Sequence, residues 1–62
     1  MHVFVTGGTG LIGRSLVKRL VMRGDDVTVL TRQSLSNEHS VTYITDIGQL
    51  ETAADVVVNL AG

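Results

Sequence analysis

Three of the seven glycines in the chain, Gly7, Gly10 and Gly13, recur at every third residue. They lie in Thr6-Gly7-Gly8-Thr9-Gly10-Leu11-Ile12-Gly13, which reads G-x-x-G-x-x-G, and Gly8, Gly10 and Gly13 also fit G-x-G-x-x-G. Each glycine answers a different physical need. The first permits a turn with positive φ, the middle one lets a pyrophosphate approach the backbone, and the last allows a helix to pack closely on a strand. A helix that opens behind such a turn offers free N–H groups and positive potential to phosphate oxygens. The same spacing also describes a glycine-rich turn that binds nothing, so the surrounding elements decide its meaning.

Those elements can be read from the pattern. Val3, Phe4 and Val5 predict a strand that stops at Gly7-Gly8. From Leu11 to Arg23, apolar Ile12, Leu16 and Leu20 repeat every four residues, flanked by Val17 and Val21, which predicts an amphipathic helix. Lys18, Arg19 and Arg23 suit the negative end of its dipole, and Gly24 is a natural stop. Asp25 and Asp26 predict a turn, and Val27 to Leu30 a second strand. Arg32 to Ser40 is polar and aperiodic, hence a loop or at most a ragged helical turn. Val41 to Thr45 predicts a third strand, Ile47 to Ala54 one or two helical turns, and Val56 to Leu60 a fourth strand, apolar on both faces. Strands of that kind belong to parallel sheets covered on both sides. The fold class expected is α/β, the N-terminal half of a Rossmann-type doubly wound parallel sheet with one clear helix and one short one.

Two nucleotide-binding readings compete at the glycines. Gly8 to Ser15 is one residue from the P-loop pattern, but Arg14 stands where that loop needs lysine. A hydrolase also needs an acidic residue at the end of a later strand to hold magnesium, and Asn59 is there, with Asp55 at the wrong end. The dinucleotide reading fits better. In NAD-selective domains an acidic residue about 20 positions beyond the glycines accepts the ribose 2′-hydroxyl. The corresponding stretch, Leu30-Thr31-Arg32-Gln33-Ser34, holds no acid. Arg32 suits a 2′-phosphate, helped by the hydroxyls of Thr31 and Ser34, so NADP is expected as cofactor with NAD as the alternative. The plain alternative for Arg32 is a solvated loop cation. Arg14, a cation in the first helical turn, is a weaker sign of a nearby anion.

Composition closes other routes. The 62 residues carry five Lys+Arg against six Asp+Glu, a net charge of −1, which leaves no basic field for nucleic acid. There are no cysteines, and His2 and His39 are too isolated for a metal cage. His2 reads as a strand-end residue and His39 as a loop residue, neither with an evident partner. No apolar run approaches the roughly 20 residues of a membrane span, and no signal peptide is visible, so a cytoplasmic location is expected.

The motif TGGTGLIG after a short N-terminal strand, with VTVLTR and VVVNLAG, resembles the short-chain dehydrogenase/reductase superfamily. The resemblance is to its extended branch of nucleotide-sugar epimerases and dehydratases, and most to that branch's epimerase-like atypical members. It covers essentially the whole chain but only the cofactor half of such a protein. It implies that Gly7, Gly10 and Gly13 form the pyrophosphate turn, with Leu11 and Ile12 donating backbone N–H groups. Arg32 would hold the 2′-phosphate. Asp46 and Ile47 resemble the Asp-plus-aliphatic pair that brackets adenine, although Asp46 equally suits the cap of the following turn. Leu60, Ala61 and Gly62, with Asn59, resemble the fourth-strand motif that borders the ribose and nicotinamide.

The departure is in the catalytic pair. The superfamily uses Tyr-x-x-x-Lys as its acid/base device, whereas Tyr43 is followed four places on by Ile47 and the sole lysine is Lys18. No catalytic residue is therefore expected in this chain. Residues 1–62 are expected to be a partial dinucleotide-binding domain, an N-terminal segment whose catalytic and substrate-binding parts lie elsewhere. Its parent would be an NADP-dependent oxidoreductase or epimerase-like protein acting on a nucleotide-sugar or another carbonyl or hydroxyl substrate. The alternative is a non-catalytic NAD(P)-sensing or structural module. An incompletely covered sheet would favour self-association of the segment.

Overall fold

A computed structural model gives the fold, and it describes every residue except Gly8, Thr9, Ser34, His39, Ala61 and Gly62. Among the described residues the elements are β1 (His2–Thr6), α1 (Leu11–Met22), β2 (Asp26–Leu30), β3 (Val41–Ile44), a 3-10 turn (Ile47–Gln49) and β4 (Val56–Asn59). The strands form one parallel sheet in the order β3-β2-β1-β4. This is the expected α/β architecture, the N-terminal half of a Rossmann-type sheet.

The register explains the core. Val3 pairs with Val27 and Val56, Val27 with Val41, and Val5 with Val29 and Val58. Strand alternation therefore stacks valines on one face, where Val17 and Leu20 of α1 bury against Val3, Val5, Val27, Val29 and Val41. α1 ends one residue earlier than expected. Gly24 takes φ +89°, its N–H bonds to Val21 O, and the N–H of Asp25 reaches Leu20 O at 3.0 Å. This is a Schellman closure, which needs a left-handed residue after the cap and finds a glycine there.

Three details correct the sequence expectation. Ile12 was placed on the buried stripe of the helix but is 78% exposed. It lies in the first turn of α1, beside Leu11, which is 89% exposed. Asp26 belongs to β2, not to the preceding turn, while Thr45 and Leu60 fall outside their strands. The helix expected over Ile47 to Ala54 contracts to the single turn Ile47–Gln49. Geometry accounts for this. The β3–β4 connection must pass β2 and β1, roughly 14 Å, while running back along the strands by a similar distance. An eight-residue helix covers only about 12 Å, so most of the segment has to be extended.

That connection crosses the face opposite α1, and His2 fastens it. His2 Nε2 lies 2.7 Å from Thr28 Oγ1, and Nδ1 lies 3.1 Å from the Ala53 carbonyl. The His2 backbone N–H donates to Asp55 Oδ2, and the Asp55 N–H donates back to His2 O. The expectation that His2 lacks a partner is thus overturned by Thr28, 26 positions away, and by Ala53 and Asp55, more than fifty away, separations no local pattern reveals. The one for His39 lies outside the described residues. Phe4, Thr28 and Ile44 are buried on this second face. Cover runs out at β4, where Val57 remains 63% exposed.

Candidate functional site

Parallel strands bring all their carboxyl ends to one edge of the sheet, and the glycine turn opens there. Gly7 follows β1 with φ +75°, the left-handed region a side chain resists. The first bond of α1 runs from Arg14 N–H to Gly10 O at 2.8 Å. The N–H groups of Leu11, Ile12 and Gly13 therefore have no helical carbonyl to meet. Gly10 supplies no side-chain cap, and the first turn holds no acidic residue, so the positive end of the helix is left uncompensated. Gly10 itself has φ −76° and ψ 175°, a conformation open to any residue. A Cβ built on it would meet nothing within 4 Å. Among the described residues its small size answers to no contact, and it leaves space in front of the N–H groups of the first turn. An anionic group that must approach the backbone fits this arrangement. Gly13 is buried within α1. Gly8 and Thr9 lie outside the described residues.

On either side of the turn the strand ends are tied. Thr6 Oγ1 donates to Asn59 Oδ1 at 2.7 Å, and Leu60 N–H donates to Thr6 O at 2.9 Å. Leu60 thus sits beside the glycine turn, while Ala61 and Gly62 lie outside the described residues. After β2, Thr31 N–H bonds to Ile44 O at 2.9 Å. The Thr31 hydroxyl, expected to help hold a phosphate, is instead buried and accepts the Gln33 N–H at 3.1 Å. Arg32 is exposed and makes no ion pair among the described residues. Ser34 lies outside them.

After β3, Asp46 caps the 3-10 turn. Its Oδ1 accepts the Gly48 N–H at 3.1 Å, and Gln49 Oε1 accepts the N–H groups of Asp46 and Thr45. Gln49 was missed in the sequence, although Asp followed three places on by Gln is the signature of a capping box. Ile47 is 55% exposed beside it. Arg32, Asp46, Ile47, Leu60 and the glycine turn thus all follow carboxyl ends of the sheet. Asp25, which follows α1, lies at the opposite edge. There it is buried, with the Met1 ammonium 3.7 Å away and Arg23 Nε 3.5 Å away.

Tyr43 and Lys18 line one groove between α1 and β3, with Arg14 and Glu38 at the same opening. The ring of Tyr43 packs against the valine core, and no hydrogen bond joins it to Lys18 among the described residues. Tyr43 serves the sheet. No group of three or more His, Asp or Glu could hold a metal among the described residues, and no helix there is long and apolar enough to cross a membrane.

Comparison with known proteins agrees with this geometry. A family model described as the NAD dependent epimerase/dehydratase family matches residues 3–62. An epimerase family protein of Staphylococcus saprophyticus is 36% identical, the match covering 98% of this chain and 22% of that protein. Epimerase family proteins of Staphylococcus epidermidis and Staphylococcus aureus are 38% and 34% identical, each over 94% of this chain and 21% of the relative. The chain therefore spans about a fifth of the length of these relatives. No solved structure gives a significant match.

Proposed function

Because the chain belongs to the NAD-dependent epimerase/dehydratase family, which implies a nicotinamide dinucleotide cofactor, we propose that residues 1–62 are the cofactor-binding segment of an epimerase-like protein. One observation carries the reading: the bare N-terminus of α1 behind Gly10, where a Cβ would meet open space. The pyrophosphate lies against this turn, formed by Gly7, Gly10 and Gly13, and takes hydrogen bonds from the N–H groups of Leu11 and Ile12. Arg32, exposed after β2 with no acidic residue in Leu30–Ser34, pairs with the adenosine 2′-phosphate and makes NADP preferred over NAD. Asp46 and Ile47 bracket the adenine while Asp46 also caps its turn. The backbone of Leu60, Ala61 and Gly62 borders the ribose and nicotinamide.

When bound, the dinucleotide supplies a hydride acceptor or donor. The substrate is a nucleotide-sugar or another molecule with a carbonyl or hydroxyl carbon to exchange that hydride. The acid/base pair is absent from these 62 residues, so this segment binds and orients and leaves proton transfer to residues outside it. Parallel calorimetric titration of the full protein with NADPH and NADH tests the reading. Selective NADPH binding is the expected result, and binding of neither dinucleotide would overturn it.

A further inference from the structure

We propose that Thr31 is a positioning residue for dinucleotide selectivity, its buried hydroxyl setting the backbone bend that presents Arg32 at the sheet edge. The inference rests on the reading of Arg32 as the partner of a 2′-phosphate.

Thr31 is 8% exposed, at the point where the chain leaves β2. Two hydrogen bonds bracket Arg32. On one side, Thr31 N–H is fixed to Ile44 O of β3 at 2.9 Å. On the other, the Gln33 N–H returns to Thr31 Oγ1 at 3.1 Å. A hydroxyl that accepts the N–H two residues ahead closes a small side-chain turn, a recurrent use of threonine and serine where a strand ends. The residue enclosed by the turn, Arg32, has its backbone held at both ends while its side chain stays in solvent.

That combination matters for a guanidinium. Its planar fork recognises phosphate oxygens bidentately, so its contribution depends on orientation as well as on charge. On a loose loop, the ordering of the backbone would oppose binding. The Thr31 hydroxyl removes part of that opposition in advance. In this role it acts on the backbone and not on the phosphate, through the N–H it accepts from Gln33. Threonine suits the place twice over, since its branched Cβ favours the extended backbone leaving β2 and its hydroxyl supplies the acceptor.

The test uses Thr31→Val, which keeps the branched shape and removes the hydroxyl, beside Thr31→Ala, Thr31→Ser and Arg32→Ala. NADPH and NADH are titrated into the full protein with each variant. Loss of one such hydrogen bond shifts an equilibrium by roughly three- to tenfold. Thr31→Val and Thr31→Ala are expected to lower NADPH affinity by about that factor while NADH affinity stays within about twofold. Thr31→Ser is expected to restore the wild-type ratio, which a general loss of stability would not allow. Equal losses for both dinucleotides in Thr31→Val, or an unchanged ratio, alongside a selective loss in Arg32→Ala, would overturn the positioning role alone. Equal losses in Arg32→Ala would overturn the phosphate reading and this inference with it.

Discussion

The Thr6 hydroxyl donates to the side-chain oxygen of Asn59 at 2.7 Å, joining two residues that the β1–β4 register already sets side by side. The tie lies next to the positive-φ turn at Gly7 and is continued by the bond from Leu60 N–H to Thr6 O. It stiffens the floor from which the glycine turn springs. Thr6→Val keeps the branched shape that strands favour and removes the donor. The expected cost is about 1 kcal/mol in urea unfolding. Faster amide exchange at Leu60 than in the wild type, with Val29 unchanged, would locate the loss at this strand end.

Gly10 separates binding from folding. Its backbone is in an ordinary extended conformation, and among the described residues nothing lies within 4 Å of where a Cβ would stand. Gly10→Val should therefore cost the fold no more than about 1 kcal/mol, the penalty of a branched residue at a helix cap. The same side chain fills the space proposed for a pyrophosphate, and dinucleotide affinity is expected to fall at least a hundredfold. Thermal melting and titration on one sample check both halves. Retained binding would remove the phosphate from this turn.

Gly7 and Gly24 share a left-handed backbone, φ +75° and +89°, at opposite ends of the sheet. Alanine at either should destabilise by about 1 kcal/mol, because both conformations strain a residue with a Cβ. Asparagine, which tolerates this region, should cost less. Only the Gly7 variants should also weaken dinucleotide binding, since Gly24 closes α1 far from the strand ends that carry the site. Denaturant midpoints for the four variants, set beside their affinities, check the distinction.

How legible this was depended on the range of the interaction. Val3, Val5, Val27 and Val29 alternate with period two, and Leu16, Val17, Leu20 and Val21 follow the helical period, so β1, α1 and β2 could be read locally. The left-handed positions Gly7 and Gly24 were legible because glycine is the residue that adopts such a backbone without strain. Ile12 misled, because periodicity says which side of a helix a residue lies on but not whether anything packs against that turn. The connection after β3 was misread because its extended form follows from the distance between edge strands, which depends on strand order. His2 and Asp25 lay beyond local reading. A polar residue at a strand end gives no sign that Thr28 and Ala53 will meet it, or that a turn aspartate will be buried against the chain's own ammonium.

His2 sets the most demanding test of the fold. The Ala53 carbonyl can only accept, so His2 Nδ1 carries the proton in that contact, and in the neutral ring Nε2 accepts from the Thr28 hydroxyl. Thr28 is 7% exposed and its bond to His2 is part-buried, so removing its partner leaves a largely buried hydroxyl without this hydrogen bond. His2→Leu is expected to destabilise by about 2 kcal/mol. Thr28→Val alone leaves Nε2 unpaired at a part-buried position and should cost about 1 kcal/mol. The double variant removes both partners of one bond, so its cost should fall short of the sum of the singles by at least about 0.5 kcal/mol. The residual cost would report the bond to Ala53 and the packing of the ring. Urea unfolding of the four proteins closes the cycle. Strict additivity would mean that the contact between Nε2 and Thr28 adds nothing to the strap, which is then held by the Nδ1 bond to Ala53 and by the two bonds between His2 and Asp55, one of them to the Asp55 carboxylate.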